Sequence, residues 1–125
     1  MTVTLEAFDA AEIDPAAFSH RDHLAVAFEA LRQDEFFAAS ARIARGLRGL
    51  AAKAGAPEKY SATITLAFIS LVAERMQEGQ DFDAFLAANP ELLNGALKRL
   101  YSSQRLADPR GRSVALLPDL GAAAA

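Results

Sequence analysis

The chain has 125 residues, enough for one domain that buries a core without disulfides or metal, and it contains no cysteine, which excludes disulfide staples, thiolate metal sites and cysteine nucleophiles. Thirteen basic and sixteen acidic residues give a net charge of −3, a balance that argues against a dedicated nucleic-acid binder. The opening "MTVTLEAFDAAEIDP" lacks the basic and apolar runs of a signal peptide, and no stretch approaches the roughly 18–20 apolar residues of a membrane span, so the expectation is a cytoplasmic protein without a membrane partner.

Alanine occupies 29 of the 125 positions, and it is the best helix former, so helix is the prior along the whole chain. Ser19 and Asp22 form an approximate capping box ahead of "HRDHLAVAFEALR", which predicts a first helix over about 20–32. Asp34 is the next cap candidate, and Gly55 followed by Pro57 is a stop, giving a second helix over about 35–54. Phe36, Ile43, Leu47, Leu50 and Ala54 keep three-and-four spacing on it, so one face is built for burial. Gly46 and Gly49 lie inside this helix at roughly 1 kcal/mol each against alanine, which close approach to a neighbour or a local bend would explain.

Pro57 suits the first turn of a third helix that Gly79 ends. Tyr60, Ile64, Phe68, Leu71, Val72 and Met76 form its buried stripe, although Thr63, Ile64 and Thr65 are a local strand signal. Asp81 caps a short helix through about Ala88, and Asn89-Pro90 starts another in "ELLNGALKRLY". Beyond Tyr101 the mixture of Pro, Gly and charge predicts one or two brief turns and an extended end, and the final "GAAAA" has nothing to anchor it. The expected fold is all-α: one irregular bundle of four to five helices, ordered over about 5–120.

His20 and His23, the only histidines, share a helix face with Leu24, Ala27, Phe28 and Leu31 and therefore head the core-facing stripe. A buried imidazole needs partners for its nitrogens, and the positive helix N-terminus favours the neutral ring, the form that ligates metal or acts as a base. Both are accordingly candidate catalytic and metal-binding residues, with a divalent transition metal as the cofactor such a pair would hold. A metal site needs at least one more ligand, which Glu58, Asp81 or Asp83 would have to supply, and there is no H-E-x-x-H. The plain alternative is that first-turn histidines bond nearby backbone groups or a carboxylate.

"HRDHL", "KYSATIT", "LYSSQRL" and "LLPDL" occur in that order across about 18–120. In this the chain resembles a bacterial family of small helical proteins of uncharacterised function, whose pattern is H-x-x-H-L/V, Y-H-x-T-I/M-T, Y-S-x-x-R-L and P-D-L. The resemblance implies a helical fold and no activity. Where the family pattern has a histidine after tyrosine, this chain has Ser61, a poor neutral metal ligand. A family metal centre would be weakened here, whereas a site that binds an organic molecule by hydrogen bonds could still use serine.

Tyr60, Ser61 and Thr65 fall near the start of the third helix and, with the histidines, would make a polar patch in an apolar wall. The alternative has Thr63 and Thr65 facing solvent or bonding back to their own helix. Tyr101 and Arg105 could bring a phenol and a guanidinium to a pocket rim, or else close the core and pair with an acid. Arg42, Arg45 and Arg48 could contact phosphates, but a solvated face is the better account in an acidic chain. No G-x-S-x-G elbow or glycine-rich phosphate loop occurs. Three readings follow: a protein that binds a small molecule or metal, with an imidazole general base if it is an enzyme; an interaction module or homodimer; and a nucleic-acid-binding domain, which ranks last.

Overall fold

Six α-helices and no strand occur among the residues that the computed structural model describes, 3–121. The expectation of an unanchored end falls, from residue 122 onward, outside them. The helices are α1 (Leu5–Asp9), α2 (His20–Gln33), α3 (Phe36–Lys53), α4 (Ala62–Arg75), α5 (Phe82–Ala88) and α6 (Ser103–Ala107). Short 3-10 turns join them at Pro15–Ala17, Pro57–Lys59, Pro90–Leu93, Ala96–Arg99 and Pro109–Arg112. The frame is the up-down-up packing of α2, α3 and α4, and the short elements close its sides.

Local chemistry explains most of the helix starts. Ser19 Oγ accepts from Asp22 N at 3.1 Å while Asp22 Oδ2 accepts from Ser19 N at 2.8 Å, so both halves of the capping box form ahead of α2. Asp81 caps α5 through Ala84 N, as the sequence predicts. The α3 cap is not Asp34 but Glu35, whose carboxylate accepts from Phe37 N and Ala38 N. Asp34 instead pairs with Arg42, which also grips Asp9 and thereby ties α1 to α3. Arg42 is thus engaged within the chain rather than offered to a phosphate.

Three further expectations are corrected. Pro57 opens only a 3-10 turn; the chain extends again at Tyr60, and Ser61 caps α4 by accepting from Ile64 N at 3.1 Å. The single helix expected after Asn89-Pro90 is two 3-10 turns, because Gly95 adopts φ 74°, a left-handed conformation that interrupts the helical path. The third is α1, a helix the sequence reading did not include, which is capped by Thr4 and buries Leu5 and Phe8.

Two apolar clusters result. One joins Leu24 and Phe28 of α2 to Leu71 and Val72 of α4, Phe85 of α5 and Leu92, Leu97 and Tyr101 beyond it. The other joins Leu5 and Phe8 to Val26 and Ala30 of α2, Ala39 and Ile43 of α3 and Ile69 of α4. Gly46 has a packing reason: a Cβ there would lie 2.1 Å from the Phe8 ring, which is itself buried. Gly49 has no such neighbour.

Candidate functional site: an apolar cleft at the head of two helices

Because α3 runs back along α2, its last turns come beside the N-terminal ends of α2 and α4, and the three do not close completely. A cleft of about 390 Å³ remains, within the range of small-molecule sites. Leu24, Ala27, Ile43, Leu47, Leu50, Ile64, Phe68 and Ile69 supply apolar wall. Ala51 and Ala54 add short side chains where longer ones would fill the space. The polar lining comes from His20, His23, Lys59, Tyr60, Ser61 and Thr65.

Five of the residues singled out in the sequence therefore meet here: His20, His23, Tyr60, Ser61 and Thr65. The two histidines are not core residues, however. They are exposed at the cleft, and burial of the stripe begins at Leu24. His20 Nε2 lies 3.0 Å from the Leu92 carbonyl oxygen. A carbonyl only accepts, so this nitrogen carries the proton, and in the neutral ring the lone pair is left on Nδ1. The His20 ring also meets Phe68 edge-on at a centroid distance of 5.0 Å.

His23 sits 4.6 Å from the Phe18 ring and 6.3 Å from His20, measured between centroids. Burial, then the neighbouring His20, lowers its pKa from 6.5 to about 4, against a smaller opposing effect of Asp22. Its exposure and its desolvation are compatible in a concave site: protein surrounds the ring while water reaches its open side. At neutral pH the imidazole is uncharged. The neutral ring expected from the helix N-terminus is thus present, with burial and a second histidine as the cause.

Tyr60 is covered by Arg48, whose guanidinium carbon lies 5.2 Å from the ring centroid. Thr65 is only 9 % exposed, and its hydroxyl has no hydrogen-bond partner among the described residues. No fully buried polar side-chain atom among those residues lacks a partner, so the Thr65 hydroxyl keeps access to the cleft. Ser61 differs: its Oγ accepts from Ile64 N and donates to the Gly111 carbonyl, which occupies it structurally.

Tyr101 and Arg105 are not brought to the cleft. Tyr101 is buried, its hydroxyl donates to the Leu116 carbonyl at 2.9 Å, and burial raises its pKa. Arg105 Nε donates to the Leu117 carbonyl at 3.0 Å, and Ser102 binds the Asp119 carboxylate through both N–H and Oγ. Thr63, neither solvent-facing nor bonded to its own helix, takes part in the same structure. Its Oγ1 accepts from Leu116 N at 3.0 Å and lies 2.9 Å from the Val114 carbonyl and 3.2 Å from that of Gly111. Together these residues hold the extended segment 114–120 as a strap across the N-terminal end of α4 and the start of α6.

Among the described residues no group of three or more His, Cys, Asp or Glu side chains could hold a metal ion. Of the carboxylates that would have completed a histidine site, Asp81 caps α5 and Asp83 pairs with Arg21. Among the same residues no helix is long and apolar enough to cross a membrane. Sequence reasoning missed the α3 wall of the cleft and Lys59. The signal available for the wall was the apolar face of α3 ending in small residues. Compared with protein-family models, curated proteins and solved structures, the chain matches none.

Proposed function

We propose that the protein binds a small, largely apolar organic molecule in the cleft between α2, α3 and α4. The observation that carries this reading is an apolar cleft of about 390 Å³ with a few converging polar groups, among them an uncharged imidazole and a cleft-facing threonine hydroxyl without a partner among the described residues. An organic ligand is preferred over a metal because no third His, Asp or Glu side chain joins the pair among the described residues. If the bound molecule is a substrate, the uncharged His23 ring is the group placed to act as general base, weakened as a base by its lowered pKa. The resemblance of the four motifs to a bacterial family fits this reading at Ser61, where serine replaces the histidine that a metal centre would use.

The test is saturation-transfer NMR with p-cresol, indole and benzyl alcohol on the wild-type chain and on Ala51→Phe, which fills the cleft. Saturable binding that disappears in a folded Ala51→Phe protein is the expected result. Absence of saturable binding for all three, or binding undiminished in the variant, overturns the reading.

One observation favours self-association as a second reading. Phe37, at the start of α3, is 76 % exposed, the most exposed large apolar side chain among the described residues. Sedimentation of wild type and Phe37→Ser decides it: a dimer that the substitution dissolves supports this reading, and a monomer in both removes it.

A further inference from the structure

The charge lining the cleft is one-sided. Lys59 is the one formally charged residue in the lining, and no aspartate or glutamate lines it. Lys59 is exposed and belongs to no ion pair among the described residues. Beside it, Arg48 stacks on Tyr60 and adds a second cation behind the phenol. The remaining polar lining, His20, His23, Tyr60 and Thr65, offers hydrogen bonds, and the body of the cleft is aliphatic and aromatic.

Resting on the small-molecule reading above, we infer that the ligand is an amphiphile with one anionic head, of the class of medium-chain or aryl monocarboxylates. Its apolar body lies against Leu47, Leu50, Ile64 and Phe68, and its carboxylate meets the Lys59 and Tyr60 side of the mouth. A cationic head would meet no carboxylate in the lining, since Asp22, the acid that acts on His23, lies outside it, and a neutral one would leave Lys59 unused. The whole chain carries −3, so general electrostatics repel an anion; a preference for one must arise locally.

Octanoate, octanol and octylamine share a tail and differ in the charge of the head, which separates the two levels of the argument. Calorimetric titration of the full chain, at concentrations below aggregation of the ligand, should rank octanoate first, octanol second and octylamine last. Each step should be about two- to fivefold, the range an exposed charge pair provides. Lys59→Gln should abolish the advantage of octanoate over octanol. Equal or tighter binding of octanol or octylamine, abolished by Ala51→Phe, would overturn the anionic class and keep the cleft as a site. Failure of all three to bind would overturn the cleft reading itself, and the anionic class with it.

Discussion

On two sides of the first turns of α4, polar residues of similar kinds have opposite fates. On the strap side, Thr63, Tyr101, Arg105 and Ser102 each bond a named backbone or carboxylate group of residues 111–119. On the cleft side, among the described residues, Thr65 has a hydroxyl without a partner, His23 is kept uncharged, and Lys59 is exposed and in no ion pair. Two threonines separated by one intervening residue thus do different things: Thr63 is consumed by the fold, and Thr65 is left available. The lesson is that chemical identity does not mark a functional residue in a helical protein this small. Whether its bonding capacity is already used does.

The contrast breaks most visibly at Thr63. Thr63→Val keeps the shape and removes the hydroxyl, which leaves Leu116 N–H and a strap carbonyl unpaired. Stability should fall by about 2–4 kcal/mol, measured by urea denaturation, while octanol affinity of the folded protein stays as in wild type. A loss below about 0.5 kcal/mol would mean that the strap is not held as described. Tyr101→Phe removes one bond and should cost about 1 kcal/mol in the same assay, again without an effect on affinity. Thr65→Val should do the reverse, with stability within about 0.5 kcal/mol of wild type and weaker binding of any ligand that uses the hydroxyl.

Acidity separates the regions by pH. The folded-state pKa of His23 lies below its unfolded value, so the unfolded chain binds the extra proton first. The contribution of His23 is therefore complete above about 6.5 and is lost as pH falls from there toward about 4. Asp119 is held below the ordinary carboxylate value of 3.8 by the hydrogen bonds from Ser102, so its contribution survives that window and is lost only as pH falls through 3.8 and below. Stability measured from pH 7 to 2 should show both steps. His23→Gln should flatten the upper one alone, and Ser102→Ala should shrink the lower one without removing it, because the Ser102 N–H still binds Asp119 and the Asp108 carboxyl, lowered to about 2 by Arg110, titrates in the same range; a single shared step would merge the two regions.

Much of the frame was legible because its signals are local. The Ser19 box and the Asp81 cap need only the next three residues, and they fall where the sequence puts them. Pro57 misled because proline fits the first position of a 3-10 turn as well as that of an α-helix, and Ser61, four residues on, was the stronger start. Asn94-Gly95 is a turn signal inside "ELLNGALKRLY", and the helical path is interrupted there. The strap could not be read in advance: Thr63 meets Gly111 across 48 positions of chain, and no periodicity encodes that contact.

The cleft was half legible for the same reason. His20, His23, Tyr60, Ser61 and Thr65 sit near helix starts that the sequence does mark, so their convergence could be anticipated. Its other wall depends on how far α3 stands from α2 and α4 at its last turns, where Ala51 and Ala54 leave room. That spacing is set by tertiary packing, and the pattern of α3 reads equally well as a closed core face.

The most direct test of the cleft as the binding site is a chemical-shift map of the full chain during titration with octanol. The account predicts saturable shifts at Ala27, Leu47, Ala51, Ile64, Thr65 and Phe68, with Thr63, Leu116 and Leu117 unmoved. Shifts centred on the strap, or none that saturate, would contradict it.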